Sequence, residues 1–195
     1  MRNIAQAALI VVAIILSGCA GKDFVRPDPS RLTMGKTTKH QVLAEYGDPY
    51  RSGQALKNEQ SVLSISYAYA EAGGTPYRPG VTPARAQGFY FHNDLLVGHE
   101  FISSWASDHT DFEHAKVSQI VKGKSTRADV IRHFGRPGGI YIYPLIKSRH
   151  GEALVYLYSE VERTGFVSMK LNRKHLVVTI GAGDIVEDVE FTTTH

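Results

Sequence analysis

The sequence has little cysteine, little charge of one sign and no long apolar run. One cysteine among 195 residues excludes an intramolecular disulfide and a cysteine-rich metal site. Twenty-two basic and nineteen acidic side chains give a formal charge of +3. That excess is too small, and the Lys and Arg residues too dispersed, to imply a nucleic-acid partner. The longest apolar run, Ala7 to Leu16, is about half the roughly twenty residues that a membrane-spanning helix needs. A Gly-x-Ser-x-Gly nucleophile elbow is missing, as is any His-x-His. What is present is ordinary for a globular chain, 43% hydrophobic and 21% charged, and argues against disorder.

The N-terminus carries an address. A basic start (Met1-Arg2-Asn3), the short apolar run and the small residues Ser17-Gly18 predict a signal peptide over residues 1–18. Leu16-Ser17-Gly18-Cys19 resembles the bacterial lipobox. The resemblance implies that Cys19 becomes the acylated first residue of the mature chain, and several acyl chains anchor far more firmly than one. Ala20, rather than aspartate, follows the cysteine, which points to the outer membrane and its periplasmic side. Residues 19–31 hold Pro27 and Pro29 without apolar periodicity and are expected to form a lipidated tether.

The remainder contains a motif written twice. Gly35 to Pro49 aligns with Gly123 to Pro137 at an offset of 88, with six of fifteen positions identical. Thr38 and Thr126, each followed three residues later by Gln41 or Asp129, predict capping boxes. Val42, Leu43 and Tyr46, like Val130, Ile131 and Phe134, form one apolar stripe on a short helix. Gly47 and Gly135 then permit a left-handed stop, and Pro49 and Pro137 prevent continuation. Gly35-Lys36-Thr37 looks like the end of a phosphate-binding loop, but the required first glycine is Ser30, and Ser118 in the second copy, so the helix-start reading prevails.

After each helix the period changes toward two. Leu63, Ile65, Tyr67 and Tyr69 alternate with small residues; Leu154, Tyr156 and Tyr158 do the same. Asp94 to Phe101 aligns with Asp184 to Phe191 at offset 90, and Asn93-Asp94 marks a hairpin turn. The expected fold class is therefore α+β, a tandem repeat in which a short helix, or helix pair, precedes a three- to four-stranded antiparallel sheet. The units span 32–110 and 111–195, with Leu95 and Ile185 among the residues packed under the helices. Phe112, Val117, Ile120 and Val121 are expected to add a helix to the second unit.

This pattern resembles the SmpA/OmlA family, which includes the BamE-like outer-membrane lipoproteins. In tandem it also resembles the β-lactamase inhibitor protein fold, although two units depart from the single-domain BamE pattern and the inhibitor's cysteines are missing. The resemblance implies a non-enzymatic lipoprotein that serves as a periplasmic scaffold or binding module for an envelope protein, the β-barrel assembly machinery being the partner it suggests. The alternative is an inhibitor-like protein that blocks an envelope or secreted enzyme. Neither role needs a cofactor beyond the lipid on Cys19.

Three non-repeated features invite a site. The Gly/Pro-rich segment from Ala72 to Gln87 is unusually long for a hairpin connection; Tyr77 and Arg78 at its centre are residue types favoured in binding hot spots. Trp105 is expected to cover the seam between units. His109 and His114, beside Asp108, Asp111 and Glu113, form the best metal candidate, but a solvated connector explains that cluster better, and no metal is expected.

Overall fold

The computed structural model describes residue 21, residues 23–163 and residues 169–194. The signal peptide over 1–18 and the proposed lipid site, Cys19, lie outside the described residues. Eight strands follow one another in a single antiparallel sheet ordered as in the chain: β1 (Arg51–Lys57), β2 (Gln60–Ala70), β3 (Ala84–His92), β4 (Leu95–Ser103), β5 (Gly139–Ile142), β6 (Glu152–Arg163), β7 (Met169–Ile180) and β8 (Val186–Thr194). Two eight-residue helices, α1 (Lys39–Tyr46) and α2 (Arg127–Phe134), pack on one face.

This corrects the expected fold class. There are not two helix-plus-small-sheet units but one continuous sheet, because β4 and β5 pair edge to edge through Gly98↔Tyr141, His99↔Ile140 and Glu100↔Gly139. The physical reason is the demand of main-chain groups at a strand edge for partners. Gly139 makes the approach possible, since a Cβ there would lie 2.0 Å from the His99 carbonyl oxygen. A recurring helix motif reports on local segments and is silent about how strand edges are satisfied.

Both helices start on the predicted capping boxes. Thr38 Oγ1 accepts from the Gln41 N–H at 3.2 Å and Gln41 Oε1 accepts from the Thr38 N–H at 2.8 Å. Thr126 and Asp129 repeat the exchange at 3.2 and 2.8 Å. Gly47 and Gly135 sit at φ 74° and 73°, a region that L side chains rarely adopt. Their carbonyls accept from Tyr67 and Tyr156 hydroxyls at 2.8 and 2.9 Å, so each helix end is tied to the strand beneath it. The expected helix near 112–121 is instead a 3-10 turn, His114–Gln119.

Under α1 lie Val42, Ile65, Tyr67, Phe89, Phe91 and Leu96; under α2 lie Val130, Leu154, Tyr156, Leu176, Val178 and Val186, with others. Leu95 is 37% exposed while Leu96 is fully buried, which corrects the expected core position by one residue. Likewise Val186 replaces Ile185 in the second cluster. The cause is register: Asn93-Asp94 turns with both φ angles positive, Phe91 pairs with Leu96, and a one-residue slip exchanges the two faces of a strand.

Residues 23–31 form a strap across the helix side of the sheet. Phe24 meets Phe101 edge-on at 6.5 Å, Pro27 is buried, and Arg26 lies 5.4 Å over the Phe101 ring. Arg26 Nη2 also donates to the Pro137 carbonyl at 2.6 Å. The strap therefore touches strands of the first half and the helix exit of the second.

Candidate functional site: the open sheet face

Strand alternation sends one set of side chains under the helices and the other to the opposite face. On that opposite face, Tyr141, Ile146, Ala153 and Val155 form a third buried cluster with Tyr90, Leu145 and Val177 against it. Leu145 and Ile146 come from the connection between β5 and β6. That connection is held down by Asn58, whose Nδ2 donates to the Pro144 and Ile146 carbonyls at 2.9 and 3.1 Å. Gly98 makes room for it, because an added Cβ would lie 2.3 Å from Leu145 Cδ1. The connection covers the centre of the face at one end of the strands. Toward the other end an open trough of about 530 Å³ remains, lined by Ala68, Ala86, Ile102, Val161 and Arg173 among others. Its floor in β2 and β3 is made of small residues, so backbone and not bulk meets whatever settles there.

Glu100 stands between the β5–β6 connection and the trough. Tyr90 donates its hydroxyl to Glu100 Oε1 at 2.8 Å, and Tyr141 donates to Oε2 of the same carboxylate. Burial, then the Glu100 charge, pushes both phenols above their ordinary range, so they remain donors. Gly88 lies opposite, where a Cβ would approach Glu100 Cγ to 3.2 Å. On β7, burial lowers the pKa of His175 while the Glu100 charge works against that, and His175 Nε2 is buried without a partner. The arrangement offers a fixed acceptor flanked by two phenols, beside a flat apolar floor. That is recognition chemistry: shape, aromatic surface and one oriented charge.

Tyr77 and Arg78 lie elsewhere, folded back onto the helix side. The Tyr77 N–H donates to the Ser104 carbonyl at 2.8 Å and its ring stacks on His109 at 3.6 Å. Arg78 bonds Glu160 at 2.6 Å and lies 3.8 Å from Asp111, with its guanidinium 5.7 Å over Tyr158. Trp105 stacks on Tyr69 at 6.0 Å and sits under Arg85 at 4.8 Å. His109 and His114 take separate stacking partners, Tyr77 and Phe191, and among the described residues no three His, Cys, Asp or Glu side chains are grouped to hold a metal ion. Thr38 and Gly47, like Thr126 and Gly135, cap the two helices. Gly35 and Gly123 donate their N–H groups to the Leu96 and Val186 carbonyls at 2.7 and 2.8 Å, and Pro49 and Pro137 follow the glycine stops by two residues. Sequence reasoning missed Glu100, Tyr90 and Tyr141. The available signal was Gly88, Gly98 and Gly139 in strand-like segments, since interior strand glycines mark close approach.

The sequence matches no known family profile and no curated protein. Among solved structures, a Streptococcus mutans protein described as a candidate β-lactamase inhibitor is similar over 86% of this chain and 89% of its own, with 13% identity and a TM-score of 0.39. At that level neither family nor function follows.

Proposed function

We propose that this protein is a non-catalytic binding module of the bacterial envelope, held to the outer membrane through acylated Cys19 and facing the periplasm. The open sheet face presents the Tyr90–Glu100–Tyr141 group and the adjacent trough to another envelope protein. One observation supports the reading above others: α1, α2 and the strap cover one side of the sheet, while the other side keeps an open, small-residue trough next to a fixed carboxylate. Rigid display needs the eight-stranded sheet and no cofactor. A partner in outer-membrane protein assembly is the favoured class; blockage of an envelope or secreted enzyme is the alternative.

The test places a photo-crosslinking residue at Ser66 on the open face and, as a control, at exposed Ala128 on α2, in intact cells. The proposal expects one discrete adduct from Ser66, suppressed by Gly88→Arg, and none from Ala128. A soluble hydrolase in that adduct would favour the blocking role. An adduct pattern identical at both positions would overturn the assignment of the face. Labelled palmitate missing from the mature chain would remove the anchor.

A further inference from the structure

Between the strap and α2 lies a slot of about 240 Å³ whose walls include Arg26, Arg136, His109 and Thr110. Arg26 and Arg136 take part in none of the ion pairs among the described residues. Arg26 is fixed by the Pro137 carbonyl and the Phe101 ring; Arg136 follows the Gly135 stop of α2. Burial, then the nearby Arg136 charge, lowers the pKa of Arg26. Neighbouring His99 is pushed down to about 4 by burial and then by both guanidiniums. Positive potential is thus concentrated here.

Of the acids nearby, Asp28 is held below its ordinary value by its Ser30 hydrogen bonds and then by the Arg136 charge, and it accepts from the Ser30 N–H at 2.9 Å. The other two are engaged by cations. Asp111, which also lines the slot, is bonded by Lys174 at 2.5 Å with Arg78 at 3.8 Å. Asp108 is held by Arg85 at 2.9 Å and by the Ser103 hydroxyl at 2.5 Å. His109 Nδ1 is buried with no hydrogen-bond partner, an arrangement that native structures usually avoid. The Thr110 hydroxyl is spent on the Leu157 carbonyl at 2.7 Å, which leaves two guanidiniums outside any ion pair and an unsatisfied imidazole nitrogen to meet a tetrahedral oxyanion.

We infer that this slot binds a phosphate group, either inorganic phosphate or the phosphate of an ester headgroup. The site lies on the helix side, remote from the open face, and stands whether or not that face binds a protein.

Full-length protein in mild detergent would be titrated calorimetrically with sodium phosphate against chloride at matched ionic strength. A second arm would use phosphatidylglycerol vesicles. Saturable binding is expected, with Arg136→Gln weakening it about tenfold, the loss of one charged hydrogen bond. Arg136 is exposed, so that variant should keep its unfolding midpoint; Arg26→Gln is the second variant. Arg136-dependent binding of phosphate identifies a free ligand, and the same dependence seen only with vesicles identifies a lipid headgroup. No saturable binding in either arm, or binding unchanged in both variants, would overturn the inference.

Discussion

Arg78 Nη2 lies 2.6 Å from Glu160 Oε1, across 82 residues of sequence. The Glu160 side chain is only 4% exposed, while that of Arg78 is 47% exposed. Burial pushes the Glu160 pKa up, but hydrogen bonds from Tyr158, Asn172 and Arg78 outweigh it and hold the carboxyl below its ordinary value. Removing the guanidinium leaves a buried charge short of a partner. Arg78→Gln should cost about 2 kcal/mol, and Arg78→Gln with Glu160→Gln should cost less than the sum. Urea denaturation checks both. Because the folded pKa is depressed, this stabilisation is present above the ordinary glutamate range and fades as pH falls through the folded value.

His99 gives a second acid-sensitive component. Its pKa falls from 6.5 to about 4 in the fold, so the folded state favours neutral imidazole. Between those values the unfolded chain binds more protons, and stability rises with pH. The contribution is complete above 6.5 and declines toward 4, by on the order of 3 kcal/mol. His99→Gln should flatten the stability curve across that window. An NMR titration in which His99 keeps an ordinary pKa would refute this.

The two helix caps should be separately measurable. Thr38→Ala should cost about 1 kcal/mol and Thr126→Ala about 1.5 kcal/mol. The second should cost more, because Asp129 is a charged acceptor near a helix N-terminus and also pairs with Arg132. Equal losses in thermal unfolding would contradict this ordering.

Phe24→Ala should loosen the strap. The ring is partly buried against the first-half core, and its loss should cost about 2 kcal/mol. Amide exchange across residues 23–31 should accelerate while that of β6 and β7 stays unchanged.

Much of the local structure could be read from residue order. Thr38, Gly47, Thr126 and Gly135 announce their caps because capping depends on contacts within five residues. Tyr67 and Tyr156 announce strands through alternation. What could not be read depends on distant partners. Leu95 and Leu96 are chemically identical, and only pairing with Phe91 decides which is buried. β1 has all seven residues exposed and so lacks an apolar signal; β5 has four residues, too few for a period. Arg78 reads in sequence as a hot-spot residue type, because its partner Glu160 lies 82 positions away. Phe24 and Arg26 belong to an aperiodic stretch whose docking rests on single rings and carbonyls.

The joint between β4 and β5 is three residue pairs long, against twelve between β6 and β7. The strap crosses beside that short joint, with Phe24 gripping one half and Arg26 the other. Tension applied at the N-terminus therefore loads the clasp before it loads the ladder. Residues 23–31 should peel away first under a pulling force, and only afterwards would the sheet part, at its narrowest seam.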